Sequence, residues 1–151
     1  MANIVLDANV IVAWVDPADS LHARGAALLE RLQADGHDAV LLDVLVGEAV
    51  SVLCRRFEER KRGADLPGAL AKLRAMIGPS DVTWIGGETA RLYEAILDVV
   101  GESEGKLNFN DALLVLLQRE GRIGAVATFD ADFESVPGFT LVGEPRKQDT
   151  D

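Results

Sequence analysis

The stretch Ile4-Val5-Leu6-Asp7-Ala8-Asn9 decides how the rest of the chain is interpreted. Its apolar run is typical of a strand buried on both faces, as in a parallel sheet. Residues 10–15 are apolar and contain no turn residue, so the chain is expected to pass directly from the strand into a helix. In open α/β sheets, ligands bind beyond the carboxyl ends of the strands. Asp7 is therefore placed at that edge, although a helix cap is the better explanation of a single aspartate there.

Composition and charge restrict the classes of protein that fit. The chain has 151 residues, 48% of them hydrophobic, which suffices for one globular domain with its own core. Its formal net charge of -10 argues against nucleic-acid binding through a broad basic surface, but not against a nuclease with an acidic metal site. The single Cys54, the lack of a basic signal-peptide region and the lack of a bilayer-length apolar run predict a cytoplasmic protein without a membrane contact.

Apolar periodicity predicts strands that alternate with helices along the chain. The predicted strands are residues 4–6, 39–42, 82–85, 124–128 and 140–142. The predicted helices are residues 10–15, 21–34, 44–62, 66–77, 88–100 and 111–120. This alternation is typical of an α/β fold with a parallel sheet and helices on both faces. One domain is expected over residues 1–145, followed by a polar tail, residues 146–151.

Polar residues at three predicted helix starts are candidate caps. Asp19 or Ser20 precedes the second helix, and Asp43 precedes the third. Asn108 or Asn110 precedes the last helix. Each is a short polar side chain that can accept a hydrogen bond from a free backbone N–H in the first turn.

Four acidic residues from distant parts of the chain are expected at one edge of the sheet. Asp7 and Asp130 each follow a predicted strand, while Glu48 and Asp111 lie near the starts of helices that return from the same edge. Capping, the helix dipole and turn formation explain most of them individually. Together they would repel one another, and a hard cation such as Mg²⁺ or Mn²⁺, which prefers oxygen ligands, relieves that repulsion.

Four segments, in this order, make the sequence resemble the PIN-domain family, nucleases that include the toxin halves of VapBC toxin–antitoxin pairs. They are Leu6-Asp7-Ala8-Asn9, Val46-Gly47-Glu48-Ala49-Val50, Asn108-Phe109-Asn110-Asp111-Ala112-Leu113 and Thr128-Phe129-Asp130-Ala131-Asp132-Phe133. The segments extend across nearly the whole chain. The resemblance implies a three-layer α/β/α fold with a five-stranded parallel sheet in the order 3-2-1-4-5.

The same resemblance implies roles for the residues at this edge. Asp7, Glu48 and Asp111 would be the acidic core, with Asp130 as the fourth acid, and these four would be both catalytic residues and metal ligands. Two further residues, Asn9 and Thr128, would support them. A third supporting residue, Asp132, lies near enough in sequence to compete with Asp130 for the fourth position.

The resemblance also implies an activity and partners. The activity is hydrolysis of RNA phosphodiester bonds with one or two Mg²⁺ or Mn²⁺ ions, which requires no histidine and no covalent intermediate. The implied partners are an RNA substrate, a cognate antitoxin protein and a second copy of the chain. The alternative is a catalytically silent PIN scaffold that binds RNA or a protein.

A basic cluster near residue 60 has two interpretations. It is able to hold a phosphate backbone. It also lies at the C-terminal end of a predicted helix, interleaved with Glu58 and Glu59, where cations complement the helix dipole, and this second interpretation is favoured. The cluster consists of Arg55, Arg56, Arg60, Lys61 and Arg62.

Other enzyme motifs fail on particular residues. Gly101-Glu102-Ser103-Glu104-Gly105 matches a Gly-x-Ser-x-Gly elbow, but it follows a helix rather than a strand, and no histidine comes later in the chain. A receiver domain would need a phospho-acceptor after the third strand, where Gly86 and Gly87 stand. An aspartate-based phosphatase would need an acid where Asn9 lies.

Overall fold

The computed structural model describes residues 3–142, so the predicted polar tail at 146–151 and the last residues of the predicted domain lie outside the described residues. Within this range, five parallel strands form one sheet in the order β3-β2-β1-β4-β5, which confirms the predicted order. The strands are β1 (Asn3–Leu6), β2 (Asp38–Leu42), β3 (Val82–Thr83), β4 (Val126–Ala127) and β5 (Leu141–Val142).

Six α-helices connect the strands within the described range. They are α1 (Ala8–Val15), α2 (His22–Ala34), α3 (Asp43–Glu59), α4 (Leu66–Met76), α5 (Gly86–Glu102) and α6 (Phe109–Arg119). Short 3₁₀ turns occupy Gly63–Asp65, Pro79–Asp81 and Ala131–Ser135. No helix in residues 3–142 combines the length and the apolar character needed to cross a bilayer.

The apolar run at the start of the chain forms the centre of the sheet. Ile4, Val5 and Leu6 are each at most 2% exposed, and β1 pairs with β2 on one side and with β4 on the other. The chain comes very close to the start of β1 at Gly124, where a Cβ atom would lie 2.5 Å from the carbonyl oxygen of Asn3. Only glycine fits this approach without a shift of the backbone.

The helices form two groups, which give the predicted three layers. Helix α1 contacts α2, α3 and α4, whereas α5 packs against α6. The strand order changes direction between β1 and β4, because the chain leaves β3 at one edge and re-enters the sheet beside β1. Ligand sites of doubly wound sheets lie at such a switch point.

Several predicted boundaries are wrong by a few residues. Strand β3 ends at Thr83 rather than at residue 85, and β4 is limited to Val126–Ala127. Helix α3 ends at Glu59, and α5 already begins at Gly86. The helix α5 also extends to Glu102, two residues beyond the predicted end at residue 100, so the predicted loop begins at Ser103. The Ser103 hydroxyl donates to the carbonyl of Val100.

Two of the three predicted caps are wrong, because the side chains bind tertiary partners. Asp43 is the first residue of α3, and its carboxylate accepts a hydrogen bond from the backbone N–H of Ile85 at 3.2 Å. Asp19 does not cap α2: one of its carboxylate oxygens accepts from the N–H of Leu21 at 2.8 Å, just before the helix, and the other forms an ion pair with Arg56 of α3. The prediction for α6 is confirmed for Asn108, whose side chain caps the helix.

Candidate active site

Four carboxylates from four different segments line one cleft of about 160 Å³ at the carboxyl edge of the sheet. Two of them are buried: Asp7 is 5% exposed and Asp111 is 6% exposed. The other two, Glu48 on α3 and Asp130 after β4, complete the acidic lining. The structure therefore brings together the four acids that the sequence analysis placed at this edge.

Asp7 is fixed by backbone and side-chain contacts from both sides of the β1–β4 pair. One carboxylate oxygen accepts from the N–H of Ala8 at 2.8 Å, so Asp7 caps α1. The other accepts from the hydroxyl of Thr128 at 2.7 Å. The Asn9 amide donates to the same hydroxyl at 3.1 Å, and its oxygen accepts from the N–H of Phe129 at 3.1 Å. Asn9 and Thr128 thus connect the ends of β1 and β4.

Asp111 belongs to a capping box at the start of α6. Its backbone N–H donates to the Asn108 side chain at 2.9 Å, and its carboxylate accepts from the backbone N–H of Asn108 at 3.0 Å. Both residues use their local backbone to fix their side chains. The capping box holds the Asp111 carboxylate in the cleft while one of its oxygens accepts the backbone hydrogen bond.

Glu48 is oriented by a residue that sequence reasoning assigned to another role. Asn110 was a candidate cap, but its amide donates to a carboxylate oxygen of Glu48 at 3.0 Å. This contact joins α6 to α3 across the cleft. The only sequence signal for this contact is that Asn110 directly precedes Asp111, in the segment that was expected to face Glu48.

The positions of Asp130 and Asp132 differ in a way that favours Asp130 as the fourth acid. Asp130 lines the cleft, and its backbone N–H donates to the Thr128 hydroxyl at 3.0 Å. Asp132 is exposed, and its backbone N–H donates to the carboxylate of Asp130 at 2.9 Å. Asp132 therefore contributes through its backbone, by holding Asp130 in place.

The acids of the cleft influence one another electrostatically. Burial raises the pKa of Asp111 to about 7, and the negative charges of Asp7, Asp130 and Glu48 add to that rise against the hydrogen bond from Asn108. Burial also raises the pKa of Asp7, although the hydrogen bonds from Thr128 and Ala8 oppose it. Raised carboxylate pKa values caused by burial and by like charges are characteristic of functional sites.

The chemistry of these donors fits a hard divalent cation, but their geometry is not yet that of a coordination shell. Within residues 3–142, no three His, Cys, Asp or Glu side chains stand in a ready-made metal-binding arrangement. Glu48, Asp111 and Asp130 each use one carboxylate oxygen in the hydrogen bonds described above. Carboxylate oxygens are the ligands that Mg²⁺ and Mn²⁺ prefer, and their charges repel one another until a cation is present.

Two arginines in the cleft were not assigned to the site from the sequence. Arg55 and Arg56 both line it, together with Val52 of the same helix. The signal was present in the spacing, because Glu48, Val52 and Arg55 follow the i, i+4, i+7 pattern of one helical face.

Comparison with known proteins agrees with this architecture. The PIN domain family model matches residues 4–138. The chain is also similar in structure to VapC20 of Mycobacterium tuberculosis, described as a sarcin-ricin loop cleaving toxin, with a TM-score of 0.62 and 21% sequence identity. The similarity covers 93% of this chain and 99% of that one, and at this identity it establishes the fold. No curated protein matches the sequence.

The fold and the cleft first define a class: a doubly wound α/β domain whose switch point carries buried carboxylates. Within that class the matched segment includes all four acids and most of the described chain. The chain belongs to the PIN domain family.

We predict that Asp111→Asn leaves the metal-free protein as stable as the wild type, or more stable, at neutral pH. The asparagine oxygen can still accept from the Asn108 N–H, while one negative charge leaves a crowded cleft. The repulsion of Asp111 by the other three acids, which the substitution removes, outweighs the helix-dipole benefit of ~0.3–1 kcal/mol that is lost with the charge. We therefore expect a rise in Tm of about 2–4 °C in EDTA. Thermal melts measure this rise.

The pH dependence of the same comparison has a definite sign. The raised pKa means that folded protein binds more protons than unfolded protein between pH 3.8 and about 7. Wild-type stability from this group therefore falls as pH rises through that range, and the advantage of Asp111→Asn is largest above pH 7.

Asp81→Asn is the matched control, because Asp81 accepts from the N–H of Gly78 in the same local geometry but on the exposed surface. A variant that melts well below wild type in EDTA would make Asp111 a structural residue.

Proposed function

We propose that this protein is an endoribonuclease that uses Mg²⁺ or Mn²⁺ to hydrolyse RNA phosphodiester bonds. The observation that carries the proposal is the convergence of Asp7, Glu48, Asp111 and Asp130 in one cleft, with two of them buried. Burying like charges is costly, and a catalytic cation site is a function that offsets the cost. Membership of the PIN domain family supports the same activity.

Bound divalent cations would activate a water molecule and stabilise the leaving oxygen of an in-line phosphodiester displacement. The residues of the chain prepare for this chemistry by fixing the four carboxylates as ligands. Thr128 and Asn9 hold Asp7, and Asn110 orients Glu48. Among the described residues that line the cleft there is no histidine or cysteine, so acid–base work falls to carboxylates and water.

We further propose that the ribonuclease is the toxin of a toxin–antitoxin pair and acts on cytoplasmic RNA. The support is the structural likeness to VapC20, which is described as a toxin that cleaves the sarcin-ricin loop. A catalytically silent scaffold that binds RNA or a partner is the alternative. The complete acid set favours the nuclease, because a scaffold has no use for the repulsion that these acids create.

Purified protein should cleave pooled cellular RNA only when Mg²⁺ or Mn²⁺ is present, because the four carboxylates repel the phosphate of the substrate until a cation neutralises them. Time courses in Mg²⁺, in Mn²⁺ and in EDTA measure this. Asp7→Asn should abolish cleavage, whereas the surface variant Asp81→Asn should retain it. Cleavage that chelation leaves unchanged would overturn the metal mechanism, and RNA binding without cleavage in every metal would favour the scaffold.

Expression of the wild-type chain alone should slow bacterial growth. Asp7→Asn should remove this effect at matched expression, because it removes one buried carboxylate of the cleft but keeps an oxygen that can accept from Ala8. Growth curves with immunoblots of both proteins measure the difference. Equal growth of the two strains would remove the toxin function and leave the nuclease proposal in place.

We also propose that the chain forms a homodimer through α5. Tyr93 and Leu97 lie one helical turn apart and are 50% and 43% exposed, and Trp84 just before the helix is 70% exposed. Exposed apolar side chains on one face are typical of an interface.

Light scattering after gel filtration should give twice the mass of one chain. Leu97→Glu should lower it to one chain, while Glu94→Gln on the same helix should not; a monomeric wild type would contradict the proposal.

A further inference from the structure

One arginine in the acidic cleft has no partner among the residues that the structure describes. Arg55 is exposed and lines the cleft together with Glu48, Asp7 and Asp111. In the part of the chain that the structure describes, residues 3–142, its guanidinium forms no hydrogen bond or ion pair. A charged group that lies beside a candidate active site and has no internal partner is available to a ligand.

Three other arginines of the basic cluster have partners, which separates them from Arg55. Arg56 forms an ion pair with Asp19, and Arg60 lies 3.6 Å from Asp16. Both acids belong to the segment between α1 and α2, so these pairs tie that segment to α3. Arg62 pairs with Asp65 at 2.9 Å, beyond the helix. These three arginines are therefore held by carboxylates of the protein, which is a role other than the predicted interaction with the helix dipole.

The position of Arg55 on α3 directs it along the cleft. It follows Glu48 by seven residues, which is close to two helical turns and about 10.5 Å along the axis. Side chains on a helix lean toward its N-terminus, and the N-terminus of α3 lies at the carboxyl edge of the sheet. The long side chain of Arg55 therefore leans toward Glu48 rather than away from it.

The charge of the cleft creates a need for such a group. The chain carries a formal charge of -10, and the four carboxylates repel any incoming phosphate. Cations held by the acids would offset this only where the bond is cut. Phosphates on either side of that bond need a separate source of positive charge.

We propose that Arg55 binds a backbone phosphate next to the one that is cleaved, so that the RNA strand lies along α3. This inference rests on the proposed ribonuclease function and adds a substrate-binding residue to it. A guanidinium suits the task, because it can donate two hydrogen bonds to one phosphate. Contacts of this kind position the strand and carry no sequence information.

Binding without cleavage is measured in the Asp111→Asn background, with a fluorescein-labelled mixed-sequence single-stranded RNA and fluorescence anisotropy at several salt concentrations. Adding Arg55→Ala should weaken binding about threefold to tenfold at low salt. The slope of log K against log salt should become less steep by about 0.7, the value for one phosphate contact on a single strand. Arg55→Lys should restore the slope, because it restores the charge.

Arg31→Ala is the matched control. Arg31 is an exposed arginine in the last turn of α2, which leads to β2 at the opposite edge of the sheet. Its removal makes the negative net charge larger by the same amount as the removal of Arg55, so a general effect of charge would change the salt slope in both variants. We expect the slope to change for Arg55→Ala alone. Equal slopes for Asp111→Asn alone and for Asp111→Asn combined with Arg55→Ala or with Arg31→Ala would overturn the proposal.

Steady-state kinetics of otherwise wild-type protein in Mg²⁺ provide an independent readout. Arg55→Ala should raise KM by a similar factor and change kcat by less than about twofold, since a flanking contact acts on substrate and transition state alike. A loss confined to kcat would contradict the binding role. If wild type cleaves RNA and Arg55→Ala equals it, only this inference fails. If wild type neither binds nor cleaves RNA, the proposed function fails with it.

Discussion

The parallel pairing of β1 with β4 is the constraint on which the rest of the structure depends. The N–H of Asp7 donates to the carbonyl of Ala127 at 2.9 Å, and the Thr128 hydroxyl donates to the Asp7 carboxylate. The pairing places Asp130 beside Asp7 although the two are far apart in sequence. The close approach at Gly124 makes the pairing possible, because a larger residue would collide with the strand it joins. Glu48 and Asp111 complete the cleft from α3 and α6.

Much of the fold and the acidic lining could be predicted because strand ends are readable from sequence. A run that changes abruptly from apolar to acidic, as at Leu6 and Asp7, marks both a strand and the edge where it stops. The returning helices then place Glu48 and Asp111 at the same edge. The role of Asp43 could not be predicted from its sequence neighbours. It was expected to cap its own helix, but its carboxylate accepts a hydrogen bond from the N–H of Ile85. A cap competes with tertiary partners, and such partners are invisible in the local sequence.

The basic cluster, residues 55–62, is a second case in which tertiary partners could not be predicted from the local sequence. All of its members are cations close to one helix end, so an interaction with the helix dipole could be predicted equally for each of them. In the structure, Arg56 and Arg60 pair with acids from the segment after α1. Arg55 lines the cleft beside Arg56 but forms no ion pair with any residue of the range 3–142. Helical periodicity relative to Glu48 was the available signal. To use this signal, Glu48 and Arg55 must be assigned to one helical face, although helical faces are usually assigned from apolar residues.

The distance in sequence between the two halves of the cleft has a consequence for synthesis. A ribosome produces Asp7 first and Asp130 near the end of the described chain, and β4 enters the sheet between strands that are made at opposite ends of translation. Contacts of such long sequence separation form late in folding. A nascent chain that lacks β4 holds Asp7 without Thr128 and has only part of the acidic lining. The acidic lining is therefore complete only in a chain whose translation has passed the fourth strand, and the proposed hydrolysis would require such a chain.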